Sequence, residues 1–217
     1  MNTTQQPFQF ATAAYLTQVE NQRATTIGEL LECLENASDA AIFYHTFQSL
    51  GRHHFLEGFS NDFAQWVLAG LNRPALAERL ASIDVRDYIS IAELRADLRR
   101  IVAEHCEACP QECNQRAFET FHFSHDVEIT LPLPWDAHTL AGFRAGLERL
   151  SHASFYHHFI ASRLRLQLKT NDFSHWFATA LGMQELADRT NRIDIYTNTL
   201  DTARSEMISM LDREIRQ

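Results

Sequence analysis

Apolar positions at Ile27, Leu30, Leu31 and Leu34 recur with the period of one helix face, and the spacing predicts a helix there. An aromatic stripe, Phe43, Tyr44 and Phe47, follows and is answered by Phe155, Tyr156 and Phe159. Such bulk is expected on buried, central helices. Asn61-Asp62 and Asn171-Asp172 each precede an apolar run and predict helix N-caps, with Trp66 and Trp176 one turn further on. Short helices are predicted around Leu76-Ala77 and Leu186-Ala187, and long amphipathic ones over 90–105 and 199–215. Phe8, Phe10, Phe121 and Phe123 mark short extended segments. Only VEITLPLPW at 127–135, alternating and then broken by two prolines, otherwise suggests a strand.

The pattern recurs along the chain. Residues 61–84 align with 171–194 at an offset of 110 without a gap, and 10 of the 24 positions are identical. Chance would give roughly one or two, and self-similarity of this kind predicts a structural duplication. AIFYHTF at 41–47 answers ASFYHHF at 153–159, and TIGELLECL at 26–34 answers TLAGFRAGL at 139–147. The expected fold class is therefore mainly α: two homologous helical repeats of about 100 residues in a pseudo-twofold arrangement, each opening on a short extended segment. The expected division is residues 1–110 and 111–217, packed as one compact unit and joined through a Cys-bearing linker.

Composition narrows the function classes. The 217 residues, 45% hydrophobic and 22% charged, are those of an ordinary globular chain. A net charge of -9 disfavours a protein whose work is holding a phosphate backbone, so no nucleic-acid partner is expected. No apolar run reaches the roughly 18 residues that a membrane span needs, and MNTTQQPFQF lacks the features of a leader. A cytoplasmic location is the expectation. With only 7 glycines there is no Walker loop, dinucleotide fingerprint or nucleophile elbow, and no catalytic residue is assigned.

Two groups of residues could carry chemistry. The first is His45, His53, Asn61, Asp62 and Trp66, with His157, Arg163, Arg165, Asn171, Asp172 and Trp176 at the corresponding places. These read either as satisfied interior histidines bonded to a capping turn or as a ligand site between the units, the two arginines holding an anion through paired donors. A metal centre on His45, His53 and His157 is a further alternative, although no His-x-x-x-His pair enforces it. The second group is His105, Cys106, Cys109 and Cys113 in the linker, which could close a tetrahedral zinc shell. Four cysteines in a cytosolic chain make a disulfide framework unexpected, leaving free or occasionally oxidised thiols, structural zinc, or an iron-sulfur cluster or catalytic thiol.

FYHTF at 43–47, RHHFL at 52–56, NDFAQW at 61–66, FYHHF at 155–159, RLRL at 163–166 and NDFSHW at 171–176 together resemble a duplicated prokaryotic domain-of-unknown-function family, DUF5752. The resemblance covers nearly the whole chain and implies the duplication and a mostly helical fold, but no activity. The three-Cys linker departs from the family pattern. The functional expectation is a non-catalytic binding or regulatory protein that engages a partner protein or a small anionic ligand at a groove between repeats, without a cofactor. The alternative is a metal protein or enzyme using His45, His53, His157 or the Cys106, Cys109 and Cys113 cluster, with zinc as its ion. Oligomeric state stays open.

Overall fold

A computed structural model describes residues 3–48, 59, 61–166, 168–194 and 198–216. Two long strands organise the chain: β1 (Thr3–Ala24) and β2 (Phe121–Thr139), paired in a two-stranded sheet. Gln9 donates to the Leu133 carbonyl at 2.9 Å and Thr17 to Asp126 at 2.7 Å, so the partner number falls as β1 advances and the strands are antiparallel. Between them run α1 (Ile27–Asn36), α2 (Asp39–Phe43), α3 (Asp62–Leu71), α4 (Pro74–Ala81), α5 (Ile91–Ala108) and the single turn α6 (Pro110–Cys113). After β2 come α7 (Leu140–Arg149), α8 (His152–Tyr156), α9 (Ser162–Arg165), α10 (Asp172–Thr179), α11 (Gln184–Asn191) and α12 (Leu200–Ile215).

This is an α+β fold, not the mainly α pair of helical repeats that the periodicity predicts. The reason lies in how the strands are buried. In β1, Phe8 and Phe10 face inward, but Ala11 and Ala13 are also buried, so the two-residue alternation changes phase between Phe10 and Ala11. In β2 the phase changes between Phe123 and Ser124, both buried. Most of the remaining strand positions are partly or fully exposed, as in a ribbon with few covered faces. No run in either strand therefore keeps one period long enough to be read as a 22-residue or a 19-residue strand.

The chain forms two compact units. One is the continuous stretch Leu16–Val127; the other joins Met1–Tyr15 to Glu128–Gln217. In the continuous unit, Phe121 and Phe123 of β2 pack with Phe63 and His45, and Phe121 also meets Trp66. In the two-segment unit, Phe8 and Phe10 of β1 pack with Phe143 and His158, and Phe8 also meets Phe173 and Trp176. Gly146 of α7 is required where Phe10 crosses it, because a Cβ there would lie 2.4 Å from the ring. Thus the first phenylalanines of the chain complete the core of its last helices.

Helix starts follow the capping rule. Asn61 accepts from the Ala64 amide at 2.9 Å and Asn171 from that of Ser174 at 3.0 Å, so the asparagine of each Asn-Asp pair is the cap. Each aspartate opens its helix at the first position. No described helix is long and apolar enough to cross a membrane.

Candidate functional site

The helix α2 winds into a π-helical turn at Tyr44–Gln48, and α8 into another at His157–Ala161. Such turns carry an extra residue per turn and re-aim side chains, and they occur often at functional sites. In the continuous unit the turn presents His45 to α3 and β2. Its Nδ1 lies 2.8 Å from Asp62 Oδ2, and its Nε2 accepts the Ser124 amide at 2.9 Å. Because the amide can only donate, Nε2 carries the lone pair and the proton sits on Nδ1, pointed at the carboxylate. Ser124 is where the burial phase of β2 breaks; its amide turns to the histidine.

The two-segment unit has the same arrangement one residue along from the expected place. His158, not His157, lies 2.8 Å from Asp172 Oδ2 through Nδ1 and accepts the Ala11 amide at 2.9 Å through Nε2. Ala11 is again the phase break. Burial, opposed by the attraction of Asp172, lowers the His158 pKa and keeps the ring neutral. FYHTF and FYHHF align by eye on His45 and His157, but the second histidine of the latter makes the contacts.

His157 does something else. It is buried, with Nδ1 3.1 Å from Glu128 Oε1 and 3.4 Å from the Tyr15 hydroxyl. Thr130 donates to the same Glu128 oxygen at 2.7 Å. Burial works against the Glu128 charge, but the hydrogen bonds from His157 and Thr130 and the electrostatic attraction of His157 and Arg165 outweigh it, pulling the carboxyl down to about 2. Tyr15 moves the opposite way: burial, then the Glu128 charge, raises its pKa and keeps the phenol protonated. Neither Tyr15 nor Glu128 carries a sequence motif; only the alternation around Glu128 hinted at its strand.

The arginines are engaged by the chain itself. Arg163 is buried, donates to the Phe159 and Leu168 carbonyls, and with the Leu168 amide closes a turn in which Leu168 has φ 65°. Arg165 holds both Asp172 oxygens, at 3.1 and 2.9 Å. Arg163 Nε and Nη1 and Arg165 Nη2 thus meet acceptors of the protein. Trp66 and Trp176 are buried and donate to the Glu119 and Gln6 carbonyls, at 2.7 and 2.9 Å. His53 lies outside the described residues.

Among the described residues, metal chemistry has two candidate places. His157, His158 and Asp172 bring ligand atoms within 4.8 Å of one another. Yet both His158 nitrogens are in use, and freeing Nδ1 for an ion would strand the Ala11 amide or require an imidazolate. That donor set does not suit a metal. Around α6, His105, Cys109 and Glu112 are grouped within the same limit, while Cys106 and Cys113 are joined by a disulfide. A disulfide is unexpected from four cysteines, but α6 is a single turn that brings the Cα atoms of Cys106 and Cys113 to 5.2 Å.

A pocket of about 350 Å³ opens in the continuous unit, lined by Asp62, Gln65, Trp66, Ala69, Gly70, Glu119 and Phe121. Asp62 and Trp66, both singled out by the sequence, meet here. The wall is aromatic on one side and acidic at Asp62 and Glu119, with no basic residue among those that line it.

Fold and site together define an α+β protein in which a strand ribbon closes two helical cores through histidine-amide bonds. The chain matches the model of the Family of unknown function (DUF5752) over residues 5–212 and belongs to that family. Among solved structures it is similar to OrfY from Thermoproteus tenax, with 29% identity and a TM-score of 0.86 over 99% of this chain and 98% of that one. No curated protein matches it.

Proposed function

We propose that this protein is a non-catalytic binding module whose pocket beside Trp66 takes a small organic ligand with a cationic end. The observation that carries this is the pocket itself: its volume is at the lower end of the range of ligand sites, and its lining joins aromatic residues to two acidic ones, Asp62 and Glu119. An ammonium or guanidinium group would gain from both the carboxylates and the indole face. The small anionic ligand expected from Arg163 and Arg165 is less favoured, since those donors are engaged elsewhere and the pocket is acidic. A concave site also favours a small molecule over a protein partner as the occupant. His45 supports a binding rather than a catalytic role, because its only basic nitrogen is already taken by the Ser124 amide.

Calorimetric titration of the whole protein with spermidine and, separately, with citrate tests the reading. Spermidine should bind and citrate should not. Ala69→Arg, at an exposed position on the rim, should abolish the spermidine heat, and Glu119→Gln should weaken binding about ten-fold, one carboxylate being worth roughly 1.4 kcal/mol. Binding of citrate alone, or of spermidine equally by the Ala69→Arg variant, would overturn the proposal.

A further inference from the structure

The turn from α5 into α6 carries His105, Cys106, Cys109, Glu112 and Cys113 within nine residues, away from the pocket lining. Its oxidised form is closed by the Cys106–Cys113 disulfide. Cys109 lies inside that loop as a free, half-buried thiol, and His105 and Glu112 bring ligand atoms within 4.8 Å of it. A tetrahedral zinc ion with bonds of 2.0–2.3 Å needs ligand atoms about 3.3–3.8 Å apart, so the group is close to that spacing before any rearrangement. Glu112 is held by Arg73 at 2.9 Å, whereas the buried His105 Nε2 makes no hydrogen bond among the described residues and lies 3.1 Å from that same carboxylate. His105 is therefore the better nitrogen or oxygen ligand.

We propose that zinc and the disulfide are alternative closures of this turn, the reduced chain binding one zinc through Cys106, Cys109, Cys113 and His105. In the forward step a dithiol reductant gives two electrons and two protons to the Cys106–Cys113 bond. The sulfur-sulfur bond breaks, two thiols form, and the reductant leaves as its cyclic disulfide. Zinc then takes the three sulfurs as thiolates with release of their protons, and His105 as neutral imidazole. Oxidation by a disulfide oxidant reverses the exchange and expels the ion. Either closure ties the end of α5 to α6, so the turn keeps its shape while its chemistry changes with redox state.

The test uses the full chain, prepared oxidised and, separately, reduced with dithiothreitol and freed of it without oxygen. Each form is titrated with cobalt(II) and then with zinc(II). The reduced protein should take about one cobalt per chain with the visible bands of a tetrahedral site and a near-ultraviolet thiolate-to-cobalt absorption, both lost to zinc. The oxidised protein should bind at least about 100-fold more weakly, having lost two of four ligands. Cys109→Ser and His105→Ala should each weaken the reduced site ten-fold or more. Cys33→Ser should not, because that thiol donates to the Arg23 carbonyl and lies outside the set. Equal binding by oxidised and reduced protein, or binding unmoved by Cys109→Ser, would sink the proposal. The cobalt absorption of the wild-type chain counts its thiolates, so fewer than three would also sink it, whether or not any variant folds.

Discussion

His158 shows how much one side chain can fix. It is a proton donor to Asp172 at one nitrogen and an acceptor from the Ala11 amide at the other, so only the neutral Nδ1–H tautomer satisfies both neighbours. Replacing it by Ala leaves the buried Ala11 amide without its acceptor, removes one of the two groups that hold Asp172, and empties a ring-sized space. The expected cost is about 3–4 kcal/mol by chemical denaturation. The same bonding makes the protein sensitive to mild acid. The folded pKa of His158 is lowered, whereas the unfolded ring titrates near 6.5, so below that pH the unfolded chain takes up a proton that the folded one refuses. Stability should fall between pH 7 and pH 5, and fall less in a His158→Gln variant; an equal drop in the two proteins would assign the effect elsewhere. Glu128 does not confuse this window. Its depressed carboxyl contributes stability that is complete above about 4.5 and is lost only as pH falls toward about 2.

Among the described glycines, Gly146 of α7 makes the tightest contact, against Phe10 of β1. Ala in place of Gly is ordinarily worth up to about 1 kcal/mol to a helix. At Gly146 of α7 the added methyl would enter the Phe10 ring, and Gly146→Ala should instead destabilise by about 2 kcal/mol. Urea melts of that variant beside wild type decide it, and an unchanged or higher midpoint would mean that β1 yields. Asn61→Ala removes a cap and also the donor to the Leu80 carbonyl, at 3.0 Å, so about 2 kcal/mol is expected where a simple cap costs about 1. These contacts show what could be read from sequence. Helices and caps were legible because each is a local code: Ile27, Leu30 and Leu34 share one face, and Asn61 and Asn171 sit just ahead of an apolar run. The strands were legible only in pieces, at Phe8, Phe10, Phe121, Phe123 and 127–135, because a break of phase at Ala11 and Ser124 interrupts the period of two where an amide turns to a distant histidine. The site was half legible for the same reason. Asp62 and Trp66 stand four residues apart on one helix, but Glu119 reaches the pocket from the approach to β2, and Glu128 reaches His157 from β2 itself.

At the scale of the whole molecule, the strand ribbon ties the fate of each end of the chain to the other. A cut after residue 110 would divide the sequence where its similarity divides it, yet it would take Phe121, Phe123 and the Glu119 carbonyl from the unit that holds Trp66. It would equally take Phe8, Phe10 and the Gln6 carbonyl from the unit that holds Trp176. Two phenylalanines lost from each core are worth several kcal/mol on either side, comparable with the 5–15 kcal/mol that holds a domain folded. Fragments 1–110 and 111–217 should therefore each lack a cooperative melt when alone. Mixed in equal amounts, they should regain the near-ultraviolet circular dichroism of ordered tryptophan, because each fragment carries the carbonyl that the other's indole requires. A fragment that melts cooperatively by itself, with its tryptophan signal intact, would show that its own helices suffice and that the exchanged strands only decorate them.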